Sequence, residues 1–118
     1  MKNRYLFGGH IEIEYNSLIS IMKRFLSPSK VRDRYASDIE QVIHYNDEML
    51  DIYVSEYFDK GFLCDVELRG SLEEAQNFIN TFTNKLGEKN IPYQFEWNEV
   101  DENDKQIGEE FEIKSISD

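Results

Sequence analysis

The chain has 118 residues, of which 40% are hydrophobic and 14% aromatic, enough apolar surface to build one core and to exclude wholesale disorder. Its longest apolar runs are too short to span a bilayer, the basic start runs straight into Glu12 and Glu14 rather than into the apolar stretch of a signal peptide, and the single cysteine, Cys64, excludes an internal disulfide. The net charge of −11 opposes nucleic-acid phosphates and anionic membranes, so a cytoplasmic protein without a nucleic-acid or membrane partner is expected.

The charge is unevenly placed. Residues 1–36 carry seven basic against three acidic residues, and the remainder carries six against 21. The basic cluster of Lys23, Arg24, Lys30, Arg32 and Arg34 is expected to pair with the chain's own acids.

Tyr5 to Tyr15 alternates with period two and reads as a first strand, with Tyr5, Phe7, Ile11 and Ile13 on one face. Gly8-Gly9 within it suggests a bulge or bend. A phosphate-binding glycine loop is excluded, because the pair does not lie between a strand and a helix and no Gly-Lys-Ser/Thr follows. Asn16 or Ser17 can cap a helix whose apolar stripe is Leu18, Ile19, Met22, Phe25 and Leu26, and Pro28 ends it. Val31, Tyr35, Ile39, Val42, Ile43 and Asn46 keep a three-to-four spacing, and Ser37 with Glu40 makes a capping-box pattern, so a second helix is expected there.

Asp51 to Phe58 and Phe62 to Arg69 read as the second and third strands, joined by a turn containing Gly61. Ser71 and Glu74 form a capping box ahead of a helix carrying Leu72, Ala75, Phe78, Ile79, Phe82 and Leu86, with Gly87 as its C′ residue. Ile91 to Glu99 and Ile107 to Ile116 read as a closing hairpin. The expected architecture is one α+β domain over residues 1–118. It is a ferredoxin-like βαββαβ unit with an extra helix after the first helix and an extra C-terminal strand, giving a five-stranded antiparallel or mixed sheet with its helices on one face.

That architecture leaves the other face of the sheet for solvent or a partner. The outward phase of the strands holds His10, Glu12, Glu14, Asp65, Glu67, Glu96, Glu110 and Glu112. Carboxylates facing one another across strands repel by about 0.2–1 kcal/mol per close pair, and few lysines or arginines offset them. Tyr53 and Tyr57, on the outward phase of the second strand, would add aromatic contact area. The expected partner-binding set is therefore Glu12, Glu14, Tyr53, Tyr57, Asp65, Glu67, Glu96, Glu110 and Glu112.

The turn from Asp101 to Glu112 resembles a calcium loop in its acids, but Lys105 and Gln106 stand where a ligand and a glycine are needed, and strands flank it. A pairing of His10 with its neighbouring acids lacks a pocket, and Cys64 falls in the core phase, so neither a catalytic group, a metal nor a cofactor is expected. The function these features suggest is a non-enzymatic binding module, monomeric or weakly dimeric. Its most concrete form is an inhibitor or immunity protein that neutralises a basic partner, such as the nuclease of a bacterial toxin–antitoxin pair. The alternative is a small-ligand-sensing regulatory domain that pairs as a homodimer.

Overall fold

The computed structural model describes residues 3–35, 41–57 and 61–115. Its described elements are β1 (Asn3–Ile11), α1 (Tyr15–Phe25), a short 3₁₀ turn (Pro28–Lys30), β2 (Val31–Tyr35), β3 (Gln41–Asn46), β4 (Leu50–Tyr57), β5 (Gly61–Gly70), α2 (Leu72–Glu88), β6 (Tyr93–Val100) and β7 (Gln106–Lys114). The seven strands form one sheet in the order β2-β3-β4-β5-β1-β6-β7, and every neighbouring pair is antiparallel.

This overturns the five-stranded ferredoxin-like expectation. The segment expected to be a second helix supplies two strands instead, leaving two α-helices among the described residues. The cause lies in the residues themselves. Val31, Val42, Ile43 and Tyr45 are β-branched or aromatic and suit a pleated surface, and β3 finds a full partner in β4, with Ile43 opposite Val54 and Tyr45 opposite Ile52. Sheet pairing outweighs an apolar spacing that fits a helix equally well over so short a run. The capping pattern at Ser37 and Glu40 lies outside the described residues.

A tight turn joins β3 to β4 and is tied by Asp47. Its carboxylate accepts hydrogen bonds from the amides of Met49 at 2.8 Å and Leu50 at 2.7 Å, and from the Tyr45 hydroxyl. Burial has the largest effect on Asp47 and taken alone raises its pKa. The Tyr45 hydroxyl, the two amides and the charge of Lys30 outweigh it and hold the carboxyl below its ordinary value.

Both helices lie on one face of the sheet. Phe7 of β1 meets Phe78 of α2 edge-on at 5.3 Å, Phe25 of α1 meets Phe82 at 5.2 Å, and Phe82 meets Phe95 of β6 at 5.7 Å. Leu18, Ile21 and Met22 of α1 and Ala75, Ile79 and Leu86 of α2 are buried against Ile11, Ile52, Val66 and Leu68 of the sheet. Burying each large side chain contributes about 1.5–3 kcal/mol, so this one layer supplies most of the drive to fold. Trp97 and Phe111 stack at 4.5 Å and extend the layer to β7.

The end of α2 differs from expectation. The helix runs through Gly87 to Glu88, and the left-handed residue after it is Asn90, with φ 56°. The start follows the sequence: Ser71 Oγ accepts from the Glu74 amide at 3.1 Å, and Glu74 Oε1 accepts from the Ser71 amide at 3.0 Å.

Gly8 and Gly9 make no bulge, because β1 keeps an unbroken register with β5 and β6 through both. The register shift lies instead between β6 and β7, after Trp97, where Gly108 takes a positive φ of 74°. The two central glycines differ sharply in what they permit. A Cβ on Gly9 would lie 2.1 Å from the Gln94 carbonyl oxygen and 2.6 Å from the Phe95 ring. A Cβ on Gly8 would meet only Asp65 Oδ1, at 3.9 Å.

Chemical denaturation of three variants tests this reading. Gly9→Ala is expected to destabilise by several kcal/mol, on the order of a serious core overpacking. Gly8→Ala is expected to be neutral or to stabilise by about 0.5–1 kcal/mol, and Ser71→Ala to cost about 1 kcal/mol. Equal effects at the two glycines would contradict the packing of β1 against β6.

Candidate functional site: the helix-free face of the sheet

Among the described residues, no helix lies over the central strands on the face opposite α1 and α2. In β5 the side chains of Phe62, Cys64, Val66 and Leu68 are buried, while Leu63, Asp65 and Arg69 between them are exposed. Strand pairing aligns the outward residues into rows. The central row runs Arg32, His44, Tyr53, Asp65, Gly8, Glu96, Glu112 from β2 to β7. It begins with a cation and ends with carboxylates. A second row places Ser55, Leu63, His10, Gln94 and Lys114 side by side, and a third places Asn46, Asp51, Glu67, Leu6 and Asn98 together.

The acids in these rows differ in how far they are already neutralised. Asp51 and Glu67 face each other, and both are paired: His44 Nε2 lies 2.8 Å from Asp51 Oδ1, while Glu67 accepts from Arg4 Nε at 2.7 Å and lies 3.7 Å from Arg69. Asp65 and Glu96, on either side of Gly8, form no ion pair among the described residues. Glu112 faces Glu96 directly and accepts one hydrogen bond from Gln94 Nε2 at 3.2 Å.

Arg4 also ties down the acidic β6–β7 turn. It donates to the Asp101 carbonyl at 3.1 Å and pairs with Asp104, and Asp101 Oδ1 accepts from the amides of Asn103 at 2.8 Å and Lys105 at 3.0 Å. The hydrogen bonds to Asp104 and then Glu67, with the charges of both, raise the pKa of Arg4 above its ordinary value. The turn that resembles a calcium loop is thus held by its own backbone and an arginine. Among the described residues, no three His, Cys, Asp or Glu side chains are grouped to hold a metal ion.

The structure brings together five residues of the expected partner-binding set on one face. Tyr53, Asp65, Glu67, Glu96 and Glu112 share the helix-free face. Tyr53 is 39% exposed and meets His44 edge-on at 6.2 Å. Glu110 is exposed beside the β6–β7 register shift. Glu12 and Glu14 lie beyond the last residue of β1, Ile11. Glu12 follows the strand with its amide bonded to the Pro92 carbonyl, and Glu14 is the N-cap residue of α1, where its charge suits the helix dipole. The backbone of Tyr57 ends β4 opposite Gly61, and its side chain lies outside the described residues.

Sequence reasoning passed over Leu63, which is 39% exposed in the middle of the face, and Arg4, whose outward phase on β1 was the available signal. It also passed over an open depression above Gly8. That depression is lined by Gly8, Gly9, His10, Leu63, Asp65, Gln94 and Glu96.

Compared with known proteins, the chain matches no family model, no curated protein and no solved structure. Among the described residues, no helix is long and apolar enough to cross a membrane.

Cys64 sits on the helix-covered face. Burial, reinforced by the charge of Asp65, pushes its thiol up to about 12 from an ordinary 9.0. A thiol reagent at mildly alkaline pH is expected to label unfolded but not native protein. The folded state keeps its thiol proton where the unfolded state loses it, so this group's contribution to stability is full below pH 9.0 and is lost as pH rises towards about 12. Denaturation against pH is expected to show that decline, and Cys64→Ala to remove the thiol's share of it. Rapid labelling of the native protein would place Cys64 outside the core.

Proposed function

We propose that this chain is a non-enzymatic, cytoplasmic binding module that acts as a monomer and covers a basic surface of another protein with the helix-free face of its sheet. The most specific form of the proposal is an inhibitor or immunity protein whose target is a basic enzyme, such as a nuclease toxin. The supporting observation is the row Asp65, Glu96 and Glu112, which lies beside exposed Tyr53 and Leu63; among the described residues these carboxylates form no ion pair and no helix covers their face.

Unneutralised carboxylates attract a positive surface over a Debye length of about 8–10 Å at physiological salt and raise the rate of encounter. Tyr53 and Leu63 offer the apolar area that retains a partner once it arrives. A nuclease site is basic because it binds phosphates, so an acidic face meets the same groups that the nucleic acid would. Homodimerisation through this face is disfavoured, because it would bring two such rows of like charge together.

Affinity capture from a lysate of the source organism, run in parallel with the wild type and an Asp65→Asn, Glu96→Gln, Glu112→Gln variant, tests the proposal. The wild type is expected to retain one basic protein in stoichiometric amount. A salt gradient should release it, and the variant should retain at most about a tenth as much, a loss of roughly 1.4 kcal/mol or more. The purified partner is then expected to lose its own activity when the wild type is added. Equal retention by both proteins would contradict the proposal.

A further inference from the structure

Gly8 stands in β1, an interior strand of the sheet paired on both sides, where glycine costs about 0.5–1 kcal/mol relative to alanine. Neither of the usual reasons for keeping it applies. Its φ is not positive, and a Cβ at this position would touch nothing closer than Asp65 Oδ1 at 3.9 Å. Its neighbour Gly9 is different, since the backbone of β6 leaves no room for a side chain there. What Gly8 does provide is space on the helix-free face. The missing side chain opens the depression in the central row, with Asp65 of β5 on one side and Glu96 of β6 on the other, both in direct register with Gly8. Neighbouring strands lie about 4.8 Å apart, so the two carboxylate-bearing backbones are roughly 10 Å apart across a floor of bare peptide.

We propose that this depression receives an arginine side chain of the basic partner, its guanidinium laid over Gly8 between Asp65 and Glu96. The inference rests on the functional reading above and specifies its anchor. A guanidinium is flat, carries donors along both edges and is weakly hydrated, so it can lie on an exposed peptide and address a carboxylate on each side. A lysine ammonium is a compact, strongly hydrated point charge and reaches one of the two well. Leu63 and His10, neighbours in the adjoining row, flank the aliphatic stem. An arginine held in a central pocket surrounded by weaker contacts is a frequent arrangement of binding hot spots.

The test is a titration of isotope-labelled protein with a synthetic arginine–glycine repeat peptide, followed by amide chemical shifts. The lysine–glycine counterpart serves as the comparison. The amides of Gly8, Gly9, Asp65 and Glu96 are expected to shift and saturate with the arginine peptide, and the lysine peptide to bind several-fold more weakly. Gly8→Val fills the depression without changing charge and suits a strand. It is expected to weaken the arginine peptide by about tenfold while the spectra of α1 and α2 stay unchanged. The size-conserving pair Asp65→Asn and Glu96→Gln is expected to do the same, which keeps the proposal testable should Gly8→Val fold poorly.

Undiminished binding by both Gly8→Val and the Asp65→Asn, Glu96→Gln pair, with loss on Glu110→Gln and Glu112→Gln, would overturn the anchor and leave the acidic face as the binding surface. Equal affinity for the lysine peptide would overturn the choice of arginine. No shift anywhere on the face would overturn both the anchor and the functional reading.

Discussion

Among the described residues, two helices cover one side of this seven-stranded sheet, and the central strands present Leu63, Asp65 and Glu96 to water on the other. That asymmetry governs the molecule. Along the central strands inward residues alternate with outward ones, so the same pleat that delivers Phe7, Val66 and Phe95 to the helices delivers Gly8, Asp65 and Glu96 to the opposite surface. A shift of one residue in the pairing would exchange the two sets and bury the carboxylates. Gly9 guards that register on β1, where the backbone of β6 lies too close for any side chain.

The open face then carries two kinds of acid. Asp51 and Glu67 are directly opposed; Asp51 shares a hydrogen bond with His44, and Glu67 is ion-paired with Arg4 and Arg69. Asp65, Glu96 and Glu112 keep their field. Arg4 performs a structural task in the same region, joining β1 to Glu67 and to the β6–β7 turn. Arg4 and Arg69 thus sit against nearby acids, while Asp65, Glu96 and Glu112 form no ion pair among the described residues.

Much of this was legible in the sequence. The alternation at residues 62–69 is β5, and the capping box at Ser71 and Glu74 opens α2 as its residue types require. Five expected strands correspond to β1, β4, β5, β6 and β7. The architecture as a whole was not legible, because the apolar spacing of Val31, Tyr35, Val42 and Ile43 fits a helical stripe as well as two short strands, and only the partner offered by β4 decides between them. The candidate site was half visible. Asp65, Glu67, Glu96 and Glu112 followed from strand phase alone. Glu14 was misplaced, because the alternation of residues 5–15 runs past the end of β1 into the N-cap position of α1. The space left open at Gly8 was invisible, since sequence cannot tell a glycine that the fold requires from one that the fold merely permits.

The central claim is that the uncompensated carboxylates draw a basic protein onto the open face. It is tested most directly by the association rate of the chain with its captured partner, measured by stopped flow as ionic strength rises about tenfold and the Debye length shrinks accordingly. Steering by the face predicts a fall in that rate of an order of magnitude or more. A rate that does not change with salt would contradict the account.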